Sequence, residues 1–191
     1  MKKSLILVSA VVLMSSFTYF FATWTVDKTH AKLAFSITHL MVSEVEGSFK
    51  SFDAKITSAK DDFSDAVIEL TADVNTINTD NDQRDAHIKG ADFFDVAKYP
   101  TLTFKSKTFK KVQDKNYKVT GDLTIHGVTK TVTLDAKFNG TAVHPYNKKT
   151  IAGFKVTGQI KRSDFGIGAG TPSAVLSDEV NLNSNIEFVK E

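Results

Sequence analysis

From Trp24 onward, apolar and polar residues alternate with period two in run after run. In "KLAFSITHL", Leu33, Phe35 and Ile37 alternate with Ala34, Ser36 and Thr38. "VIELTADV" sets Ile68, Leu70, Ala72 and Val74 against Val67, Glu69, Thr71 and Asp73. The same spacing recurs at Leu102 and Phe104, at Tyr117, Val119, Leu123 and Ile125, and at Val132, Leu134, Ala136 and Phe138. It returns at Phe154, Val156 and Ile160, and at Val180, Leu182, Ile186 and Phe188. Such alternation marks strands with one buried and one wet face. Residues 44–56 also read as strand, but Phe49 and Phe52 differ in parity, which predicts a bulge between them. Turn signals fall at His126-Gly127, at Asn139-Gly140 and in "KDDFSD". About eight strands, tight turns and few prolines predict an all-β fold, an eight-stranded antiparallel barrel, with a two-sheet sandwich as its competitor.

Two stretches break the alternation. In 81–100, "NDQRDAHIKGADFFDVAKYP", Asp80 or Asn81 can cap a helix that Gly90 stops. A second turn, "ADFFD", precedes Tyr99-Pro100, which forces extended chain into the next strand. One or two short helices are therefore expected around residues 80–97. Phe93 and Phe94 would pack against the barrel, with Arg84 and His87 near its opening. The other stretch is the loop "GIGAGTPSAVLSDE".

On a barrel the apolar register faces inward, and small residues recur in it: Ala72, Ser106, Gly121, Ala136, Gly158 and Ser184. Glycines inside strands cost stability unless something fills the space beside them. Either these positions leave a cavity for a long apolar ligand, or they fit the taper of a filled core. The cavity reading takes its wall from Phe35, Ile37, Leu70, Ala72, Phe104, Gly121, Leu123, Leu134, Phe154, Val156, Gly158, Leu182 and Ile186. His39 shares parity with this set and falls at a barrel end, as a structural hydrogen-bonded residue or as a contact to a ligand head. The neighbours Arg84 and Asp85, and Arg162 and Asp164, read most simply as surface ion pairs. An Arg at the mouth would instead meet an acidic head group.

The first residues change the picture of location. Lys2 and Lys3, an apolar run from Leu5 to Met14 and the small Ala22 describe a signal peptide over 1–22, leaving a barrel domain at 23–191. Ser15, Ser16 and Thr18 interrupt the run, so no stable membrane span is expected after cleavage. Without residues 1–22, Lys plus Arg falls from 24 to 22 and equals Asp plus Glu. A neutral domain lacks the basic footprint of a nucleic-acid binder. Cysteine is absent, which removes disulfides, thiolate metal sites and a Cys nucleophile, and an exported chain without them fits the periplasm.

Candidate chemistry is sparse. The five histidines lack the HExxH spacing. "NTDNDQ" begins like a calcium loop, yet Gln83 stands where its glycine belongs and Lys89 where its closing glutamate belongs. "GIGAG" opens no helix, and there is no nucleophile elbow or phosphate loop. Neither cofactor nor metal is expected. An enzyme with His39 or His87 as base is the rival from another class, and a filled-barrel interaction module is a third reading.

Four segments, "DKTHAKLAFSITHL", "RDAHIKGADFFDVAKYPTLTFKS", "GDLTIHGVTKTVTL" and "RSDFGIG", resemble in order the YceI-like family of bacterial periplasmic polyisoprenoid-binding proteins. The resemblance spans Trp24 to Phe188. It implies a lipocalin-like barrel with a long apolar pore, short helices near one opening, and binding of isoprenoid chains or isoprenoid quinones without catalysis. It carries over His30, His39, Arg84, Asp85, His87, Asp92, Phe93, Phe94, Asp95, Arg162, Asp164 and Phe165 as site or helix-seating positions. The expected function is to hold such a lipid for transport, storage or stress protection, with homodimer formation left open.

Overall fold

A computed structural model describes residues 21–191; most of the expected signal peptide, 1–20, lies outside the described residues. Eleven strand segments follow one another along the chain: β1 (Ala22–Val26), β2 (Leu33–His39), β3 (Ser43–Phe49), β4 (Phe52–Ser58), β5 (Val67–Asp73) and β6 (Ile77–Asn78), then β7 (Thr101–Gln113), β8 (Asn116–Ile125), β9 (Val128–Val143), β10 (Thr150–Lys161) and β11 (Leu176–Lys190). The ladder β1-β4-β5-β7-β8-β9-β10-β11 is antiparallel and closes on itself where Trp24 pairs with Lys190 and Thr25 with Val189. This is a closed eight-stranded barrel. The remaining segments continue its first three strands: β2 extends β1 along β11, β3 extends β4, and β6 extends β5 beside β3.

Each interruption has a local cause. The Asp27 carboxylate accepts the Thr29 backbone N–H (2.9 Å) and hydroxyl (2.6 Å), turning the chain between β1 and β2. Between β3 and β4 the strand breaks at Lys50-Ser51, so Phe49 and Phe52 are both buried, as their parity predicts. After β5, a 3-10 turn at Val74–Thr76 is capped by Asp73, which accepts the Asn75 N–H at 2.9 Å. A register shift between Ser106 and Thr108 on β7 does the same work, placing both Phe104 and Phe109 in the core. There the Ser106 hydroxyl accepts the Ile68 N–H at 2.8 Å.

One turn falls elsewhere than expected. Asn139-Gly140 lies inside β9, whose pairing with β10 runs on to Val143↔Thr150. Gly140, at φ 132°, sits by a register shift opposite Gly153, so the dipeptide marks a bulge and the reversal comes at 144–149. The insert holds one helix, α1 (Asp82–Ile88), whose N-cap Asn81 accepts the Arg84 N–H at 2.9 Å. "ADFFD" forms turns rather than a second helix, with the Phe93 N–H donated to Gly90 O.

The end of the barrel remote from α1 is stoppered by aromatic rings. Phe63, in the turn between β4 and β5, is 1% exposed, with its ring 5.1 Å from each of Trp24, Phe138 and Phe154. Tyr117, stacked on Phe109 at 4.6 Å, donates its hydroxyl to Asp62 O and pins that turn.

Candidate functional site

Within the barrel lies a cavity of about 320 Å³. Alternate residues of the strands build its wall, shown most fully by β11, which contributes Val180, Leu182, Ser184, Ile186 and Phe188. At about 3.3 Å per residue, that stretch follows the strand for roughly 26 Å. Among the described residues, the only polar side chains on the wall are His39, Thr79, Arg84, Arg162 and Ser184, and all but Ser184 stand at the α1 end. Ser184 is occupied, its hydroxyl accepting the Ala34 N–H at 3.1 Å.

Exposure shows where the cavity meets solvent. Ile56, Phe109, Phe154 and Phe188, at the stoppered end, are buried. At the other end His39 is exposed, and Ile37, Val45, Ile88, Phe94 and Leu176 are half-buried. Between Ser43 and Gly47, β3 pairs with β2 alone, because β6 reaches only Ser48 and Phe49. The mouth therefore lies where this short-paired edge faces α1.

The two mouth arginines differ in what they have left to offer. Arg84 gives Nε to Thr79 Oγ1 (2.7 Å) and Nη2 to Thr79 O (2.6 Å), and its Nη1 has no partner among the described residues. Thr79 in turn donates its N–H and hydroxyl to the buried Asp85, at 2.9 and 2.6 Å. Arg162 is 5% exposed and commits all five N–H groups to backbone carbonyls: Nε to Ser177, Nη1 to Ile167 and Gly168, Nη2 to Thr171 and Leu176. It is the hub around which "GIGAGTPSAVLSDE" wraps. The surface ion pairs expected of Arg84 with Asp85 and of Arg162 with Asp164 do not form: the first pair meets through Thr79, and Asp164 is exposed. His39 has no side-chain hydrogen bond among the described residues, so a structural hydrogen-bonding role does not hold.

Of the wall and mouth residues expected from the sequence, the cavity brings together Phe35, Ile37, His39, Leu70, Arg84, Phe93, Phe94, Phe104, Leu123, Leu134, Phe154, Val156, Arg162, Phe165, Leu182 and Ile186. Five fall outside its wall: Ala72, His87, Gly121, Gly158 and Asp164. The glycines face inward but are covered, Gly121 by the Phe104 ring and Gly158 by the Leu134 side chain. Ala72 is fully buried between Phe52 and Leu102 on the neighbouring strands. His87 lies on the exposed side of α1, its ring 5.1 Å edge-on to Phe93. Asp164 borders a separate shallow groove. The sequence reading missed Phe109 as a wall residue, because a bulge changes its parity, and Thr79, which no periodicity marks; it also left out Phe49, although Phe49 keeps the parity of Val45 on unbroken β3.

The YceI-like domain family model matches residues 24–188, and the chain belongs to that family. The UPF0312 protein SAB2563 of Staphylococcus aureus is 38% identical over 169 residues, covering 86% of this chain and 96% of that protein. Among solved structures, the YCEI protein of Campylobacter jejuni superposes with a TM-score of 0.73 at 38% identity, over 81% of this chain and 90% of that one. BcnA of Burkholderia cenocepacia gives 0.75 at 26% identity, over 85% and 98%. A polyisoprenoid-binding domain from Saccharophagus degradans shares the fold, with a TM-score of 0.68 at 18% identity over 88% and 98%.

Proposed function

We infer that the protein is a periplasmic, non-catalytic carrier that holds one long-chain amphiphile, a polyisoprenoid or an isoprenoid quinone. The observation that carries this reading is the polarity of the cavity: apolar from the stopper upward except for Ser184, whose hydroxyl is already hydrogen-bonded, with its other polar side chains at the mouth. A tail drawn in gains about 0.8 kcal/mol per buried CH₂, offset by the ordering of the chain. The head group stays at the rim, where His39 and the free Nη1 of Arg84 offer hydrogen bonds. The polyisoprenoid-binding domain that shares this fold supports the choice of a prenyl tail. The reading needs no chemistry from His39 or His87.

The test is mass spectrometry of an organic extract of protein purified from its native periplasm. A prenyl lipid at near-equal molar ratio is the expected result. Protein recovered without lipid, and unable to take up an added polyprenyl alcohol, would overturn the reading.

A further inference from the structure

The stoppered end of the barrel has a character the cavity does not explain. The β7–β8 and β9–β10 tips lie side by side there, linked by the Phe138 N–H donated to Lys115 O and by Lys115 Nζ donated to Asn139 O. Residues 110–115 and 137–149 carry Lys110, Lys111, Lys115, Lys137, Lys148 and Lys149, all exposed, against Asp114; the β4–β5 turn at the same end adds Lys60 against Asp61, Asp62 and Asp65, with Asp62 3.9 Å from Lys111, so bases still outnumber acids there. Set among them are exposed apolar residues: Val112 (64%), Val143 (63%) and Tyr146 (89%). The chain enters the barrel at this same end through Phe21, 62% exposed.

The mouth has the opposite charge. Its insert, 79–100, carries five acids against three bases, and Glu44 and Glu46 stand on the adjacent β3 edge. The domain as a whole is neutral, so the lysines of the closed end are an asymmetry of placement and not of composition.

We propose that the closed end docks on an anionic phospholipid bilayer and holds the mouth away from it. Lysines facing an anionic surface give attraction within a Debye length, about fivefold in affinity for each. Tyrosine and valine at the same level suit the head-group region, where an apolar body with a polar tip is stable. The apolar mouth tip, Leu40, Met41 and Val42, is also exposed, but it stands among acids that such a surface repels. Lipid would then be exchanged at the mouth with a partner and not with the bilayer on which the barrel rests.

Residues 21–191 serve for the experiment, because the barrel closes within them and the matched region makes up 98% and 90% of two related chains of solved structure. The protein is sedimented at low salt with vesicles of phosphatidylcholine alone, or of phosphatidylcholine with one-third phosphatidylglycerol. The expected result is binding to the second only, lost on adding salt. Lys110→Glu with Lys149→Glu weakens it roughly 25-fold or more. Tyr146→Ser weakens it a few-fold, and Met41→Ser at the mouth leaves it unchanged, with all variants keeping their urea midpoints. No binding, equal binding to both vesicles, or loss in Met41→Ser while the lysine variant binds would overturn the proposal. None of these failures touches the cavity reading, which rests on different residues.

Discussion

The ring of Phe104 on β7 lies across Gly121 on β8, where a β-carbon would stand 2.6 Å from Phe104 Cζ. The same added atom would meet Lys105 O at 2.5 Å. A glycine that looked like empty space in the sequence is a seat for an aromatic ring. Gly121→Leu is therefore expected to destabilise the barrel by about 1–3 kcal/mol through overpacking. Adding Phe104→Ala should recover part of that loss, read as non-additivity in urea midpoints. Full additivity would mean that the ring and the glycine do not share the space.

Arg162 predicts a different kind of loss. Replacing it with Met takes a donor from five carbonyl oxygens, three in the β10–β11 loop and two at the start of β11, of which Gly168 O keeps the Thr171 N–H. A buried acceptor left unpaired costs about 1–3 kcal/mol, so the loop should loosen even though the barrel strands remain. Amide hydrogen exchange checks this: protection should fall at Gly168, Thr171 and Leu176, whose N–H groups bond within that loop or back to Asp92. Arg162→Lys should fail similarly, since an ammonium cannot reproduce the planar fork.

Phe63 closes the far end, and Phe63→Ala should cost about 3–5 kcal/mol, the range for removing a large buried ring. A urea titration measures it. An effect below about 1 kcal/mol would show that the stopper is not part of the core.

Acid and base should each weaken the fold at the β1–β2 turn. Asp27 is held at about 2, chiefly by the Thr29 hydroxyl and then by His30. Its folded value lies below the unfolded one, near 3.9, so its contribution is present above about pH 4 and is lost as pH falls toward 2. The side chain is 22% exposed, and the contribution is discounted to the order of 1 kcal/mol. His30 is raised above 6.5 by the same carboxylate, so its contribution is present below 6.5 and fades as pH rises through the folded value. Asp27→Asn should flatten both limbs of a stability-against-pH curve.

How far the sequence spoke for the structure depends on what each residue answers to. Leu123, Leu134 and Ile186 obey period two because each lies on an unbroken ladder, so their place on the wall was legible. Phe109 was not, since the shift between Ser106 and Thr108 reverses parity without leaving a glycine to mark it. Phe63 stood in a run of Asp and Ser that reads as a solvated turn. A lone aromatic among acids was the one available sign that the turn folds inward. Arg84 and Arg162 look alike in sequence, each two residues from an Asp or beside one, and only their hydrogen bonds separate a free rim group from a buried hub.

The most direct test of the account is the molar ratio of a long-chain polyprenyl alcohol bound at saturation to delipidated protein, with and without Ala136→Trp. Ala136 lines the cavity on β9, opposite Tyr117 and Val156, and an indole there occupies the space a tail needs. One lipid per chain for the natural protein, and a ratio near zero for a folded Ala136→Trp, is the predicted result. An unchanged ratio in the variant would contradict the claim that the tail lies inside the barrel.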